Sequence, residues 1–328
     1  MYGLRSKAYW FGFLIVIFPG LALAQNQVVT PTGADFLKLG AMARANALGL
    51  SYTAISEDAA SIYWNPAGLA FCKADAYFMH SAMVKDIPDD SYDVLATAFR
   101  VGPLGIGIGG IRYSIGEIQK TNELGEPIGT ELLYDAAGIL GAAFGIEKSN
   151  FRLGIGASVK GIHRKFIEES TGNGFGADLG AVARAKIGMG IGDVEVSAGA
   201  AIQNLGPDVK IKGKGSDEAE SLPLPRTMRA GVAIALKGFL ATAETRKTLD
   251  EPSGYGLGIE YDLARGMASI SLRAGYRKEP GEISGLTFGG GIYLIIPYGT
   301  KRIRFGVDYA RVPGGDLGAQ DYLAVRIY

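Results

Sequence analysis

From about residue 74 onward, apolar side chains alternate with polar or very small ones. Phe151, Leu153, Ile155, Ala157 and Val159 interleave with Arg152, Gly154, Gly156, Ser158 and Lys160. Ile303, Phe305, Val307 and Tyr309 interleave with Arg302, Arg304, Gly306 and Asp308. The stretches 254–262 and 267–277 follow the same rule. Successive side chains of a strand point to opposite faces, so each stretch predicts a strand with one apolar and one polar face. Continued along the chain, the pattern predicts about fourteen strands, near 74–84, 91–101, 104–113, 130–146, 151–163, 174–185, 194–204, 226–237, 239–247, 254–262, 267–277, 284–296, 301–310 and 320–328.

A soluble β-sandwich also alternates, so the connections decide. Joins after even-numbered strands are tight, as at Gly102-Pro103, 147–150, Gly238, 263–266 and 297–300; only 186–193 is longer. Joins after odd-numbered strands are longer and polar, as at 114–129, 164–173 and 205–225. Short turns at one end, long loops at the other and an even strand number are the arrangement of an outer-membrane β-barrel. Strands of ~10 residues suit a tilted crossing of the bilayer. Tyr92, Tyr113, Tyr134, Tyr261, Tyr298 and Tyr322 fall near strand ends, where girdles at the membrane interfaces are expected.

Two segments precede the strands. Residues 1–24 carry Arg5 and Lys7, an apolar run from Trp10 to Phe18, and Ala22-Leu23-Ala24 before Gln25. That is the pattern of a cleavable signal peptide, with processing between Ala24 and Gln25. The apolar run is too short for a membrane helix, which needs ~20 residues. Residues 25–72 form a separate N-terminal segment, in which 33–72 lack the two-residue period. The stretch 41–49 is Ala-rich and predicts a short helix. Ser56 is a candidate N-cap for a second, with Glu57 and Asp58 in its first turn. Pro66 disfavours helix at Asn65, so Asn65-Pro66-Ala67-Gly68 reads as a turn. The many small residues suit a plug packed inside the barrel, with a periplasmic cap as the alternative. The resulting fold class is all-β: a transmembrane antiparallel barrel, 73–328, with a short helical N-terminal plug.

Composition narrows the chemistry. Glycine accounts for 49 of 328 residues, and Lys+Arg equals Asp+Glu at 33 each, so no nucleic-acid partner is expected. One cysteine and two histidines, His80 and His163, offer neither a metal cluster nor a nucleophile with its base. No cofactor and no enzymatic activity are expected. Arg152, Lys160, Glu195, Arg229, Glu244, Arg246, Glu260, Arg273, Arg302, Arg304 and Asp308 lie opposite the aliphatic phase. An Arg or Lys facing lipid at mid-bilayer costs ~2–4 kcal/mol, so these charges are expected to face the lumen.

The run from Gly33 to Ala45, the block from Asp58 through Asn65-Pro66-Ala67-Gly68 to Ala70, Gln203-Asn204-Leu205-Gly206 and Leu272-Arg273-Ala274-Gly275-Tyr276-Arg277 resemble the PorV/PorQ family. Leu222-Pro223-Leu224-Pro225 and Gly315-Asp316-Leu317-Gly318 extend the resemblance along the chain. That family is similar in fold to the FadL transporters, whose N-terminal hatch also carries Asn-Pro-Ala. The resemblance implies a fourteen-stranded barrel in the outer membrane of a Gram-negative-type cell. It further implies a component of type IX-like secretion or surface assembly, with cargo proteins or other secretion components as partners. Two alternatives stand beside it: a FadL-like conduit whose ligand is a hydrophobic small molecule, and a general porin. An apolar pocket between plug and wall marks the conduit, and free ion conduction marks the porin. The terminal strand departs from the usual assembly pattern at Arg326, two residues before the last.

Overall fold

The inward and outward phases of the strands separate cleanly in a computed structural model describing residues 32–84, 87, 89–167, 170–190, 192–213, 219–249, 251–279, 284–299, 301–315 and 318–328. The expected leader, with Ala24 and Gln25, lies outside the described residues. Sixteen strands occur among those described: β1 (Ala74–Ala82), β2 (Ser91–Val101), β3 (Leu104–Thr121), β4 (Pro127–Lys148), β5 (Phe151–Lys165), β6 (Thr171–Met189), β7 (Gly192–Leu205), β8 (Val209–Lys212), β9 (Ala219–Leu222), β10 (Thr227–Leu236), β11 (Phe239–Thr248), β12 (Gly254–Arg265), β13 (Ala268–Lys278), β14 (Ser284–Tyr298), β15 (Lys301–Pro313) and β16 (Ala319–Ile327). Fourteen close into one antiparallel barrel, because β1 pairs with both β2 and β16, and β5 pairs with both β4 and β6. The other two, β8 and β9, form a hairpin that pairs with the loop end of β6. Closure removes sheet edges, which lipid cannot satisfy. Among the described residues no helix is long and apolar enough to cross a membrane.

Leu95, Ile108, Leu140, Val159, Leu257 and Ile292 stand exposed on the outer wall. Asp75, Asp178, Glu244, Glu260, Arg273 and Asp308 are buried on the inner one. The connections depart from expectation in three places. The join 186–193 is tight after all, with Met189 opposite Gly192, because its glycines pair as strand where the alternation gives no signal. The expected loop 114–129 is mostly strand: β3 and β4 continue past a bulge at Ser114/Gly116, and the tip is confined to 122–126. The expected loop 205–225 contains the β8–β9 hairpin. Of the tyrosines assigned to girdles, Tyr92 and Tyr322 are fully buried on the inner face.

Residues 32–72 pack against inner faces on opposite sides of the ring, which places them inside the barrel. Short helices α1 (Ala43–Ala47) and α2 (Ser61–Trp64) and a 3-10 helix, Pro66–Phe71, are joined by tight turns. The segment starts at the loop end, where the Gly33 amide donates to the Pro223 carbonyl (2.8 Å), and reaches β1 at the turn end. Wall glycines make room for it. A Cβ on Gly156 would lie 2.6 Å from backbone atoms of Pro66 and Ala67, and one on Gly275 would lie 2.5 Å from the Gly49 amide nitrogen. Close backbone approach of this kind is a recurrent reason for glycine within a strand.

Candidate functional site

The segment's helices are too short to hold themselves, and the wall supplies what they lack. The first amide of α1, at Ala43, donates to the Tyr77 hydroxyl of β1 (3.0 Å). The helix expected from Ser56 begins only at Ser61. Ser56 Oγ donates to the Tyr52 carbonyl (3.0 Å), and the acidic pair that would occupy its first turn is drawn to wall arginines instead. Glu57 pairs with Arg184 and lies 3.5 Å from Arg152, while Asp58 accepts from the Tyr52 hydroxyl (2.5 Å) and lies 3.5 Å from Arg326. Pro66 ends α2 as expected: Asn65 is extended and its Oδ1 accepts from the Ala67 amide (3.2 Å). Asn65 Nδ2 donates to the carbonyls of Thr53 (2.9 Å) and Ala181 (3.0 Å), tying the turn to its own segment and to β6.

A chain of charge-assisted contacts runs through the segment between β12, β13 and β15 on one side and β16 and β1 on the other. Asp308 accepts from Arg273 (2.5 Å), and Arg273 donates to Glu260 (2.5 Å). Glu260 holds Arg44 of α1 in a bidentate pair, at 2.6 and 2.8 Å. Arg44 donates to the Tyr52 hydroxyl (3.2 Å), whose proton goes to Asp58, and Arg326 joins Asp58 to Asp75 (2.9 Å). The walls β15 and β1 are thus linked by groups that each satisfy the next. Buried charges persist only when paired in this way.

A second anchor lies on β7, β10 and β11. Glu244 accepts from the amides of Tyr52 (2.9 Å) and Thr53 (2.8 Å), and pairs with Arg229 (2.8 Å). Arg229 lies 4.8 Å from the Trp64 ring centroid and donates to Gln203 (2.7 Å), whose Nε2 donates to the Tyr63 carbonyl (2.6 Å).

The charges singled out from the alternation therefore divide. Arg152, Arg229, Glu244, Glu260, Arg273 and Asp308 belong to these anchors or flank them. Arg246 pairs instead with Glu279 toward the loop end, and Arg304 with the Ser269 hydroxyl (2.8 Å). Arg302 is exposed at the turn end, where the strand leaves the closed lumen. Lys160 pairs with Asp178 (2.9 Å) and Arg152 with Glu195 (3.0 Å). The alternation missed Arg44, Tyr52 and Asp58, which carry no periodic signal, while Asp75 sits on the inward phase of β1 and was not singled out. Arg326 had one: the charge that breaks the terminal-strand pattern is the one that binds Asp58 and Asp75.

Cavities lie on both sides of the segment. Toward the loop end a pocket of about 20 Å³, room for about one water, is lined by Leu37, Leu39, Ile111, Ile139, Lys160, Gln203 and Arg229 among others. Toward the turn end two larger cavities, about 460 and 360 Å³, share Arg44, Glu57, Glu260 and Asp262. Among the described residues no group of three or more His, Cys, Asp and Glu side chains is arranged to hold a metal ion.

No protein-family model and no curated protein matches the chain. Solved structures do. A FadL homologue from Pseudomonas aeruginosa superposes with a TM-score of 0.53 at 9% identity, over 92% of this chain and 99% of that one. The Pseudomonas putida toluene transporter TodX gives 0.50 at 12% identity, over 88% and 96%. The fold is that of the FadL-type outer-membrane channels. Buried ion pairs such as Arg273–Glu260 and Lys160–Asp178 line the described lumen. The comparison overturns the expectation of a PorV/PorQ-type secretion component with cargo proteins as partners, since the similar structures are FadL-type channels. The Asn-Pro-Ala block that carried part of the resemblance packs inside the barrel against β6.

Proposed function

We propose that the protein is a FadL-type outer-membrane channel for hydrophobic small molecules, with residues 25–72 as its plug and residues 1–24 as a cleaved export signal. The observation that carries this reading is the barrel fold itself, which superposes on a FadL homologue over 92% of this chain and 99% of that one. The toluene-transporter fold of TodX agrees with that solute class. A general porin fits less well, because the segment occupies the lumen and is anchored to several strands. The tight turns are assigned to the periplasm and the β8–β9 hairpin to the cell exterior.

Proteoliposomes containing the purified chain test this. The expected result is uptake of toluene above that of empty vesicles, with low ionic conductance in planar bilayers. Steady ohmic conductance without solute uptake would establish a porin instead.

A further inference from the structure

The outer wall carries a feature that the lumen does not explain. On β3, β4 and β5 the outward residues Gly110, Gly138 and Gly161 stand side by side in register. Inward glycines of the same strands, such as Gly109 and Gly156, are instead met by Tyr63, Pro66 and Ala67 of the internal segment. A Cβ on Gly138 or Gly161 would meet nothing within 4 Å, and one on Gly110 only the Ala137 carbonyl oxygen at 3.8 Å. The row is a bare trough in the wall, bounded toward the turn end by Ile108, Leu140 and Val159, again in register.

Directly on its loop side stands a polar cluster. Arg112 and His163 flank Ala136 in the next row, with Tyr134 and Lys165 paired one row beyond. The Arg112 guanidinium lies 5.7 Å from the Tyr134 ring centroid, and the Tyr134 and His163 rings are 5.8 Å apart. Among the described residues no carboxylate lies within ion-pair distance of Arg112. Its cross-strand neighbour Asp93 is taken by His80 Nδ1 at 2.7 Å. His163 Nδ1 lies 2.9 Å from Asn173 Oδ1. An exposed arginine with no carboxylate partner, beside apolar wall, can take an anion from outside the chain. A barrel's outer wall meets lipid, whose headgroup phosphate is such an anion.

We propose that β3–β5 form a seat for one anionic phospholipid, with a net negative headgroup, of the surrounding membrane. Its phosphate accepts from Arg112 and Lys165 beside the Tyr134 ring, and one acyl chain lies in the Gly110–Gly138–Gly161 trough. This goes beyond the transport reading and does not depend on which solute crosses the lumen.

The test is native mass spectrometry of the full-length protein with phosphatidylglycerol or phosphatidylcholine added in detergent. R112Q removes the phosphate ligand, and G138L fills the trough from the outside. Wild type should retain one phosphatidylglycerol in at least fivefold preference over phosphatidylcholine. R112Q should lose that preference, and G138L should lower retention of both lipids at least fivefold. Heat-modifiable gel mobility identifies variants that assemble, and either variant alone is decisive. Equal retention of the two lipids by wild type would overturn the proposal. So would phosphatidylglycerol retention in an assembled R112Q or G138L equal to wild type.

Discussion

Arg44 of the internal segment and Glu260 of β12 meet in a bidentate pair, with Nη2–Oε1 at 2.6 Å and Nε–Oε2 at 2.8 Å. The wall has a replacement partner for Glu260 in Arg273, whereas among the described residues the segment has no other ion pair to β12. Arg44→Met should therefore spare the barrel and loosen the segment. Removing one member of a buried pair costs ~3–5 kcal/mol, and Arg273 brings the expected loss to the lower end. Protease cleavage between residues 32 and 72 should rise while heat-modifiable mobility is retained. Unchanged cleavage would show that the pair does not hold the segment.

Asn65 makes the corresponding link on β6. Its carboxamide donates to the Thr53 and Ala181 carbonyls and accepts from the Ala67 amide. Asn65→Ala removes all three at about 1 kcal/mol each, and leaves buried backbone groups short of partners. Assembly should persist, because the strands follow in sequence. Cleavage of the segment or ion leakage in planar bilayers should increase. Failure to insert would make the turn an assembly element.

The barrel was legible because its chemistry is periodic. One face of each strand meets lipid and the other meets a crowded lumen, so residue type alternates with position, as from Phe151 to Lys160. The end of α2 before Asn65 was legible through Pro66, while the stretch read as a turn continues as a 3-10 helix, Pro66–Phe71. Other features were not. Ser56 has the local signature of an N-cap, yet Arg152, Arg184 and Arg326, far away in sequence, claim Glu57 and Asp58 and displace the helix start to Ser61. Glycine-rich strand ends, as at Gly188 to Gly192, carry no alternation to read. Arg44 looks like any charge in a short helix until the register of β12 brings Glu260 to it.

At the loop end, Lys38 pairs with Glu251 at 2.7 Å and with Asp35 at 2.6 Å. Burial works against its charge, but the two carboxylates prevail and hold its pKa above the ordinary 10.5. A raised lysine pKa stabilises the folded arrangement fully below the unfolded value and ceases to do so as pH rises through the folded one. Trypsin cleavage near the start of the segment should thus be flat from pH 7 to about 10 and rise only in stronger alkali. In Lys38→Met, cleavage at Arg44 should be faster throughout that range. A rise near neutrality in the wild type would contradict this role.

Export and orientation are checked together on cells. Intact mass of envelope-purified protein should correspond to a chain beginning at Gln25, and retention of Met1 would refute processing. A tag inserted between β8 and β9, in the stretch containing Gly215 and outside the described residues, should be labelled on intact cells. A tag at Gly238, in the tight turn between β10 and β11, should be labelled only after permeabilisation. The reverse pattern would invert the barrel.

Gly156 tests whether the segment and the wall are fitted to each other. It lies on the inner face of β5, where a Cβ would approach backbone atoms of Pro66 and Ala67 to 2.6 Å. Backbone is the part of the segment least able to yield, since Asn65 fixes it on one side and the 3-10 helix Pro66–Phe71 continues on the other. Gly156→Val has high strand propensity, so the strand itself should tolerate it. The clash must then be relieved by displacing the segment, at the ~1–3 kcal/mol typical of overpacking. Gly161→Val, on the outer face of the same strand with nothing within 4 Å, is the matched control. The expected outcome is increased ion conductance and segment cleavage for Gly156→Val, with neither for Gly161→Val. Equal behaviour of the two variants would mean that the segment is not packed on β5 as described.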